Sequence, residues 1–160
     1  MMRKLSTLAA TLLFSGLALA GAADKVSVQD PQVRLMPPGA PATAAFMVLK
    51  NAGDKDAKLV KAENPVSRVT EIHSHVNDGG VMRMRPVPAI DIKAGGETVL
   101  KPGGLHIMLI DIQSPLKEGS TVPITLEFDD GSSKKIEARV VRPMAGPMTG
   151  PMSGSRGGEH

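Results

Sequence analysis

Short apolar segments separated by turn-forming residues run through most of the sequence, and they constrain its fold more than any other feature. Between residues 24 and 141, segments rich in Val, Ile, Leu and Ala alternate with clusters of Gly, Pro, Asn and Asp. Along Val122–Phe128 the apolar residues occupy every second position, which is the period of a strand with one buried face. No segment keeps an apolar stripe of helical period over about three turns, so we predict an all-β protein.

The turn signals divide this region into short strands. Clusters such as Ala94-Gly95-Gly96 and Asp129-Asp130-Gly131 stand between apolar runs, and the second cluster predicts a hairpin turn. Short strands at regular spacing are typical of an antiparallel β-sandwich or barrel. The predicted strands are Val33–Leu35, Ala44–Lys50, Ala57–Ala62, Val69–His75, Val81–Arg85, Glu97–Leu100, His106–Ile112, Val122–Phe128 and Lys134–Val141.

The N-terminus has the three parts of an export signal. Arg3 and Lys4 precede an apolar run over Leu5–Leu19, and Ala18-Leu19-Ala20 provides small residues for cleavage. We predict a signal peptide over residues 1–23, with cleavage after Ala20 or Ala23, and export to the periplasm. Without Arg3 and Lys4 the formal net charge falls from +3 to +1. The basicity therefore does not indicate nucleic-acid binding, and we predict no membrane association after cleavage.

The composition changes after Arg142. Residues 143–160 contain no Val, Leu, Ile or Phe, and Met recurs every fourth position at Met144, Met148 and Met152 among Gly and Pro. We predict a folded domain over residues 24–142 and a flexible tail over residues 143–160. A spacer and a mobile set of metal donors are both open interpretations of this tail.

The absence of cysteine removes many kinds of chemistry. Disulfides, thiolate nucleophiles, iron–sulfur clusters, cysteine-ligated zinc and blue-copper centres all need that residue. The only aromatic residues are three Phe, which disfavours base stacking by single-stranded nucleic acid. No Ser lies in a nucleophile elbow, and no second carboxylate near Glu71 or Asp78 completes an acid–base pair. The remaining chemistry-bearing residues are ten Met and four His.

Imidazole and thioether side chains share strand faces in the predicted sheet, because residues two apart on a strand point the same way. This donor set suits Cu(I), and it is poor for calcium or magnesium and unusual for zinc. Each Met taken alone is more often core filler than ligand, and we interpret Met36 and Met47 as structural. The same-face pairs are His73 with His75, Met82 with Met84, and His106 with Met108.

The sequence resembles the periplasmic copper chaperone family PCuAC over about residues 26–141. That family has a motif of His, ten residues, Met, twenty-one residues and His-x-Met. Here ten residues separate His73 from Met84, and twenty-one separate Met84 from His106-Ile107-Met108. Four donors with two fixed long gaps make a highly specific motif. The similar flanking segments are Pro37-Pro38-Gly39, Phe46-Met47, Asn51-Ala52-Gly53-Asp54, Glu71-Ile72-His73, Asp78–Pro86 and Leu100–Leu109.

The resemblance implies a cupredoxin-like or immunoglobulin-like antiparallel β-sandwich that binds one Cu(I) through His73, Met84, His106 and Met108. It implies copper delivery to the CuA centre in cytochrome c oxidase subunit II, beside a thioredoxin-like assembly factor. Some relatives carry a Met- and His-rich C-terminal extension, which implies a second copper ion at the tail here. The auxiliary donor candidates are His75, Met82, Met144, Met148, Met152 and His160.

The expected function is therefore copper transport by an exported protein that is not an enzyme. A copper buffer or resistance protein without a dedicated client is the alternative. A copper oxidase and a plain adhesive sandwich are weaker alternatives. The sequence departs from its relatives at Phe46 and Leu105, where they often have Tyr or Trp, and we expect this to alter packing or shielding near the site.

Overall fold

The computed structural model describes residues 20–143, which form one short helix and ten strands. The all-β prediction is confirmed. The signal-peptide prediction up to residue 19 and the tail prediction from Met144 onward lie outside the described residues. Among residues 20–143, no helix is long and apolar enough to cross a membrane. The elements are α1 (Ala22–Lys25), β1 (Val26–Arg34), β2 (Ala42–Asn51), β3 (Ala57–Glu63), β4 (Ser67–Asp78), β5 (Val81–Pro86), β6 (Ile90–Ile92), β7 (Glu97–Leu100), β8 (His106–Ile112), β9 (Thr121–Phe128) and β10 (Ser133–Val141).

The ten strands belong to one continuous hydrogen-bonded sheet. Its order is β5-β4-β8-β2-β1-β10-β9-β3-β6, with β7 also paired to β2. The pairs are antiparallel except for β1 and β10, which run parallel with Gln32 opposite Arg139. This pair is the one exception to the antiparallel pairing of the predicted sheet among the residues that the structure describes. The first and last strands of the domain lie side by side there, so no hairpin sets their direction.

One face of this sheet folds around a single apolar core. Ile72 of β4, Ala45 of β2 and both Ile107 and Leu109 of β8 are buried in the same hydrophobic cluster as residues of β3, β9 and β10. Successive side chains on a strand point to opposite faces. The residues between these core positions therefore face away from the core, and they include the predicted metal donors of β4 and β8.

A five-residue loop interrupts what would otherwise be one long strand beside β2. Leu100 at the end of β7 pairs with Met47, and Ile107 in β8 pairs with Ala45, so residues 101–106 stand opposite Phe46 alone. The loop closes on itself, because the amide of Lys101 donates to the Leu105 carbonyl at 2.9 Å. Gly103 has a φ of +79°, a backbone conformation that other residues rarely adopt. This insertion places backbone carbonyls above the outer face of the sheet.

The short helix α1 fastens the N-terminal end of the described chain to the β9–β10 turn. The amide of Ala22 donates to Asp130 Oδ2 at 2.6 Å, and that of Ala23 donates to Ser132 Oγ at 2.9 Å. A Cβ atom at Gly21 would lie 2.8 Å from the Cβ of Ser132, so this contact requires glycine. The contacts begin directly after Ala20, one of the two predicted cleavage positions.

We predict that the mature protein begins at Gly21 rather than Asp24. A chain that starts at Asp24 loses the hydrogen bonds of Ala22 and Ala23, each worth about 1 kcal/mol. N-terminal mass spectrometry of the exported protein should find Gly21, and the chain from Asp24 should unfold at lower temperature than the chain from Gly21. An exported protein that starts at Asp24 and melts at the same temperature would contradict the prediction.

Candidate metal centre

The predicted donors lie on three adjacent strands, β5, β4 and β8, and share the outer face of the sheet. The antiparallel register places His73 directly opposite His106 and His75 directly opposite Met84. Glu71 lies opposite Met108 in the same way. Directly opposite residues have Cβ atoms about 5 Å apart, whereas diagonal neighbours are about 7–8 Å apart. The pair of His73 with His106 and the pair of His75 with Met84 therefore lie next to each other on one surface.

A cleft of about 320 Å³ opens on this surface, and we call it the donor cleft. Its lining includes His75, Met84, His106 and Met108, which are two imidazoles and two thioethers. Met36, interpreted from the sequence as structural, also lines the donor cleft and is 37% exposed. Met82 and His73 are not among the lining residues: Met82 is 57% exposed on the edge strand β5, and His73 lies beside the cleft against His106.

His106 is held as a neutral imidazole at the floor of the donor cleft. Its side chain is buried, and its Nδ1–H donates to the Gly104 carbonyl at 2.9 Å. A carbonyl only accepts, so the neutral ring carries its proton on Nδ1 and keeps a lone pair on Nε2. Burial lowers the pKa of His106, and this outweighs the hydrogen bond to Gly104, which alone would raise the pKa.

His73 is oriented by a carboxylate and keeps one nitrogen without a partner. Its Nε2 lies 2.7 Å from Glu71 Oε2. Within residues 20–143, His73 Nδ1 is the one buried side-chain nitrogen or oxygen with no hydrogen-bond partner. Metal-binding imidazoles characteristically donate their other N–H to a carboxylate. The His106 ring centroid is 5.8 Å from that of His73, so the two imidazoles are close enough to share a metal ion.

His75 shares the backbone acceptor of His106. Its Nδ1 lies 3.4 Å from the Gly104 carbonyl, and its ring centroid is 5.4 Å from the His106 centroid. This contact is longer than the one made by His106, so it orients the His75 ring more loosely. The 101–105 loop thus directs two imidazoles into one cleft.

The far wall of the donor cleft is aromatic and cationic. The Phe46 ring lies 6.3 Å from the His106 ring, so the residue at this position lies beside the candidate site. The guanidinium of Arg34 lies 5.2 Å from the centre of the Phe46 ring, a cation–π contact. Arg34 was not predicted from the sequence, because only the β1–β2 pairing brings it to the cleft. A positive charge at this wall repels a divalent ion more strongly than a singly charged ion.

The residue types at the site restrict the metals that it suits. In the part of the chain that the structure describes, no three His, Cys, Asp or Glu side chains are grouped closely enough to hold a metal ion. Met84 and Met108 are therefore the candidate donors beside the imidazoles of the donor cleft. Thioether and imidazole together are soft donors of the kind that Cu(I) prefers.

One protein family matches this sequence over almost all of the described domain. The family is described as "Putative lipoprotein LpqE-like", and the match covers residues 26–140. The chain belongs to this family. A relative, "Putative lipoprotein Lxx21020" from Leifsonia xyli subsp. xyli, is 34% identical over 119 residues, which are 74% of this chain and 70% of that protein. "Uncharacterized protein RP573" from Rickettsia prowazekii is 34% identical over 99 residues, 61% of this chain and 55% of that protein. The lipoprotein description fits an exported protein, although these 160 residues contain no cysteine.

Solved structures share the fold of the LpqE-like domain. The copper-bound PCuAC domain from PmoF2 superposes with a TM-score of 0.65 at 23% identity, covering 77% of this chain and 97% of that chain. The apo form of DR1885 from Deinococcus radiodurans is 35% identical, with a TM-score of 0.60 over 90% of this chain and 96% of that one. The Cu(I) form of DR1885 has a TM-score of 0.61 at 35% identity, over 73% and 78% of the two chains. The predicted cupredoxin-like β fold is thereby confirmed.

The lowered pKa of His106 predicts that the metal-free LpqE-like domain loses stability in mild acid. The unfolded chain takes up a proton at His106 near the ordinary pKa of 6.5, whereas the folded chain resists protonation until lower pH. This contribution to the free energy of unfolding is complete above pH 6.5 and declines as the pH falls below it.

Urea denaturation of the metal-free protein at several pH values measures this effect. We expect the wild-type free energy of unfolding to fall more steeply between about pH 7 and pH 5 than that of His106→Gln, in which the group cannot titrate. Equal slopes in the two proteins would contradict the assignment.

Proposed function

We propose that this protein is an exported copper carrier that binds one Cu(I) ion through His73, Met84, His106 and Met108 and passes it to another protein. The observation that carries the proposal is the donor cleft, in which imidazole and thioether groups converge without a thiolate or a carboxylate cluster. The relationship to DR1885 at 35% identity, with a structure described in its Cu(I) form, supports the same metal.

The orientation of the imidazoles supports direct binding. His106 has its free lone pair on Nε2, because Gly104 accepts the proton on Nδ1. His73 has its free lone pair on Nδ1, because Glu71 accepts the proton on Nε2. Both rings are thus fixed in the tautomer that a metal ligand requires before any metal arrives.

The neutrality of the four donors supports transfer rather than permanent storage. Two imidazoles and two thioethers leave the single positive charge of Cu(I) uncompensated at the site. The chain has no cysteine, so no thiolate of its own competes for the ion. A thiolate of an acceptor protein is a softer, anionic donor and can displace the thioethers stepwise.

The client in this proposal is the CuA centre of cytochrome c oxidase subunit II, with a thioredoxin-like assembly factor as a second partner. The support is the resemblance to PCuAC copper chaperones. The site of action is the periplasm, supported by the export signal at the N-terminus and by the lipoprotein description of the family. The proposed activity is binding and transfer, not catalysis.

A copper buffer without a dedicated client is the alternative, since it needs the same donor cleft. Copper transfer from the loaded protein to an isolated CuA domain separates the two functions. Rapid transfer that depends on direct contact supports a chaperone, whereas release no faster than spontaneous dissociation supports a buffer.

The site assignment predicts unequal effects for two methionines in different places, the half-buried Met108 of the donor cleft and the exposed Met82 of β5. Met108→Ala and His106→Ala should each weaken Cu(I) binding at least about tenfold, or roughly 1.4 kcal/mol, because each removes a donor. Met82→Ala is the matched control and should leave the affinity unchanged, because Met82 lies outside the donor cleft. Anaerobic competition with a Cu(I) chelator measures all three. Unchanged affinity in both Met108→Ala and His106→Ala would reject the site.

The tail supplies a second prediction. Met144, Met148, Met152 and His160 are proposed to hold a further copper ion, tethered to the domain at high effective concentration. A chain that ends at Arg142 should then bind about one Cu(I), and the full chain about two. Equal stoichiometry in the two proteins would reduce the tail to a spacer.

A further inference from the structure

His75 lies outside the four-residue motif, yet it lines the donor cleft more directly than His73 does. The cleft is bounded by His75, Met84, His106 and Met108, and His73 lies beside it. The His75 ring is also slightly closer to the His106 ring, at 5.4 Å against 5.8 Å for His73. His75 is therefore part of the cleft lining, although it lies outside the motif.

We infer that His75 is a fifth copper donor, and that His75 and Met84 form an outer binding position through which copper leaves the cleft. We call these two residues the outer pair. The inference rests on the proposed function, because it concerns the path of the same ion. The inner position consists of His73, His106 and Met108, and Met84, a ligand of the proposed four-residue site, is shared with the outer pair. His106 is near enough to serve both positions.

The register of the hairpin supports the outer pair. Met84 stands directly opposite His75, and His73 stands opposite Pro86. A direct pair has Cβ atoms about 5 Å apart, whereas Met84 and His73 are diagonal neighbours about 7–8 Å apart. A copper ion bound to the Met84 sulfur is therefore nearer to His75 than to His73.

The hydrogen bonds of His75 leave the correct nitrogen available. Its Nδ1 faces the Gly104 carbonyl at 3.4 Å, so the neutral ring keeps its lone pair on Nε2. The neighbouring imidazole of His106 is oriented by the same carbonyl. His73, in contrast, has one nitrogen occupied by Glu71 and is fixed in place. The looser ring of His75 suits a donor that binds and releases the ion during transfer.

Exposure increases from the inner position to the outer pair. His106 is 2% exposed and the His73 side chain 13%, whereas Met84 is 50% exposed. Strand β5, which carries Met84, is the terminal strand of the sheet order. An acceptor thiolate must reach the metal to displace its ligands, and Met84 of the outer pair is the most exposed of the proposed donors. The outer pair is therefore the exchange position.

The experiment uses the full chain, loaded anaerobically with one equivalent of Cu(I). Long-range proton–nitrogen NMR spectra report the ring nitrogens of each histidine. We expect the Nε2 resonance of His75 to shift on loading, together with those of His73 Nδ1 and His106 Nε2. We also expect His75→Ala to lower the Cu(I) affinity about tenfold, at the lower end of the loss caused by removing even indirect metal contacts.

Val76→Ala is the matched control, because it shortens the neighbouring exposed side chain on the opposite face of β4. It should leave both the spectra of the rings and the affinity unchanged. Copper-dependent shifts at His73 and His106 with none at His75, and full affinity in His75→Ala, would overturn the inference and leave the proposed function standing. A chain that retains no Cu(I), with no shift at any of the three rings, would instead reject the proposed function.

Discussion

Ile107 and Leu109 are fully buried in the core, and their burial dictates where their neighbours on β8 point. Because side chains alternate along a strand, His106 and Met108 must face outward. A slip of one residue would expose both apolar side chains and bury both donors, at a cost of about 2 kcal/mol for each apolar side chain exposed. The same packing that stabilises the domain therefore sets the outward direction of the candidate donors, and Ile72 fixes His73 on β4 in the same way.

The 101–105 loop converts this flat row of donors into an enclosed site. It inserts opposite Phe46 and brings the Gly104 carbonyl to the two imidazoles of His106 and His75. Burial lowers the pKa of His106, and the Gly104 carbonyl fixes which ring nitrogen keeps its lone pair. The Glu71 carboxylate likewise fixes which nitrogen of His73 keeps its lone pair. The imidazoles of His106 and His73 are thus oriented before a metal binds, which lowers the ordering entropy that opposes binding.

The sequence predicts those parts of the fold that depend on local patterns. The alternation in β9 and β10, the hairpin at Asp129–Gly131 and the extent of β8 follow from residues that are neighbours in the chain. The first half of β1 is not predicted, because Asp30 and Pro31 interrupt the strand pattern. The register of the β1–β2 pairing shifts at the same place. Strand β6 is three residues long, which is too short for a detectable period. The parallel pairing of β1 with β10 joins distant residues, and no local signal encodes it.

The candidate site also has parts that local sequence patterns predict and parts that only strand pairing creates. Spacing along single strands predicts that His106 and Met108 share a face, and the family motif adds His73 and Met84. The contributions of Met36 and Arg34 arise only when β1 pairs with β2, so their sequence neighbourhood gives no signal. The pairing of Glu71 with His73 is encoded two residues apart, and its spacing could have indicated an orienting carboxylate.

The central claim is that thioether sulfur in the donor cleft selects Cu(I). Competition between Cu(I) and Zn(II) for the full chain tests it most directly, compared with a double variant carrying Met84→Leu and Met108→Leu, which keeps side-chain volume and removes both sulfurs. The account predicts that the wild-type protein retains Cu(I) against excess zinc, and that the double variant loses this preference. Tight zinc binding that depends on Met84 and Met108, or undiminished Cu(I) binding in the double variant, would contradict it.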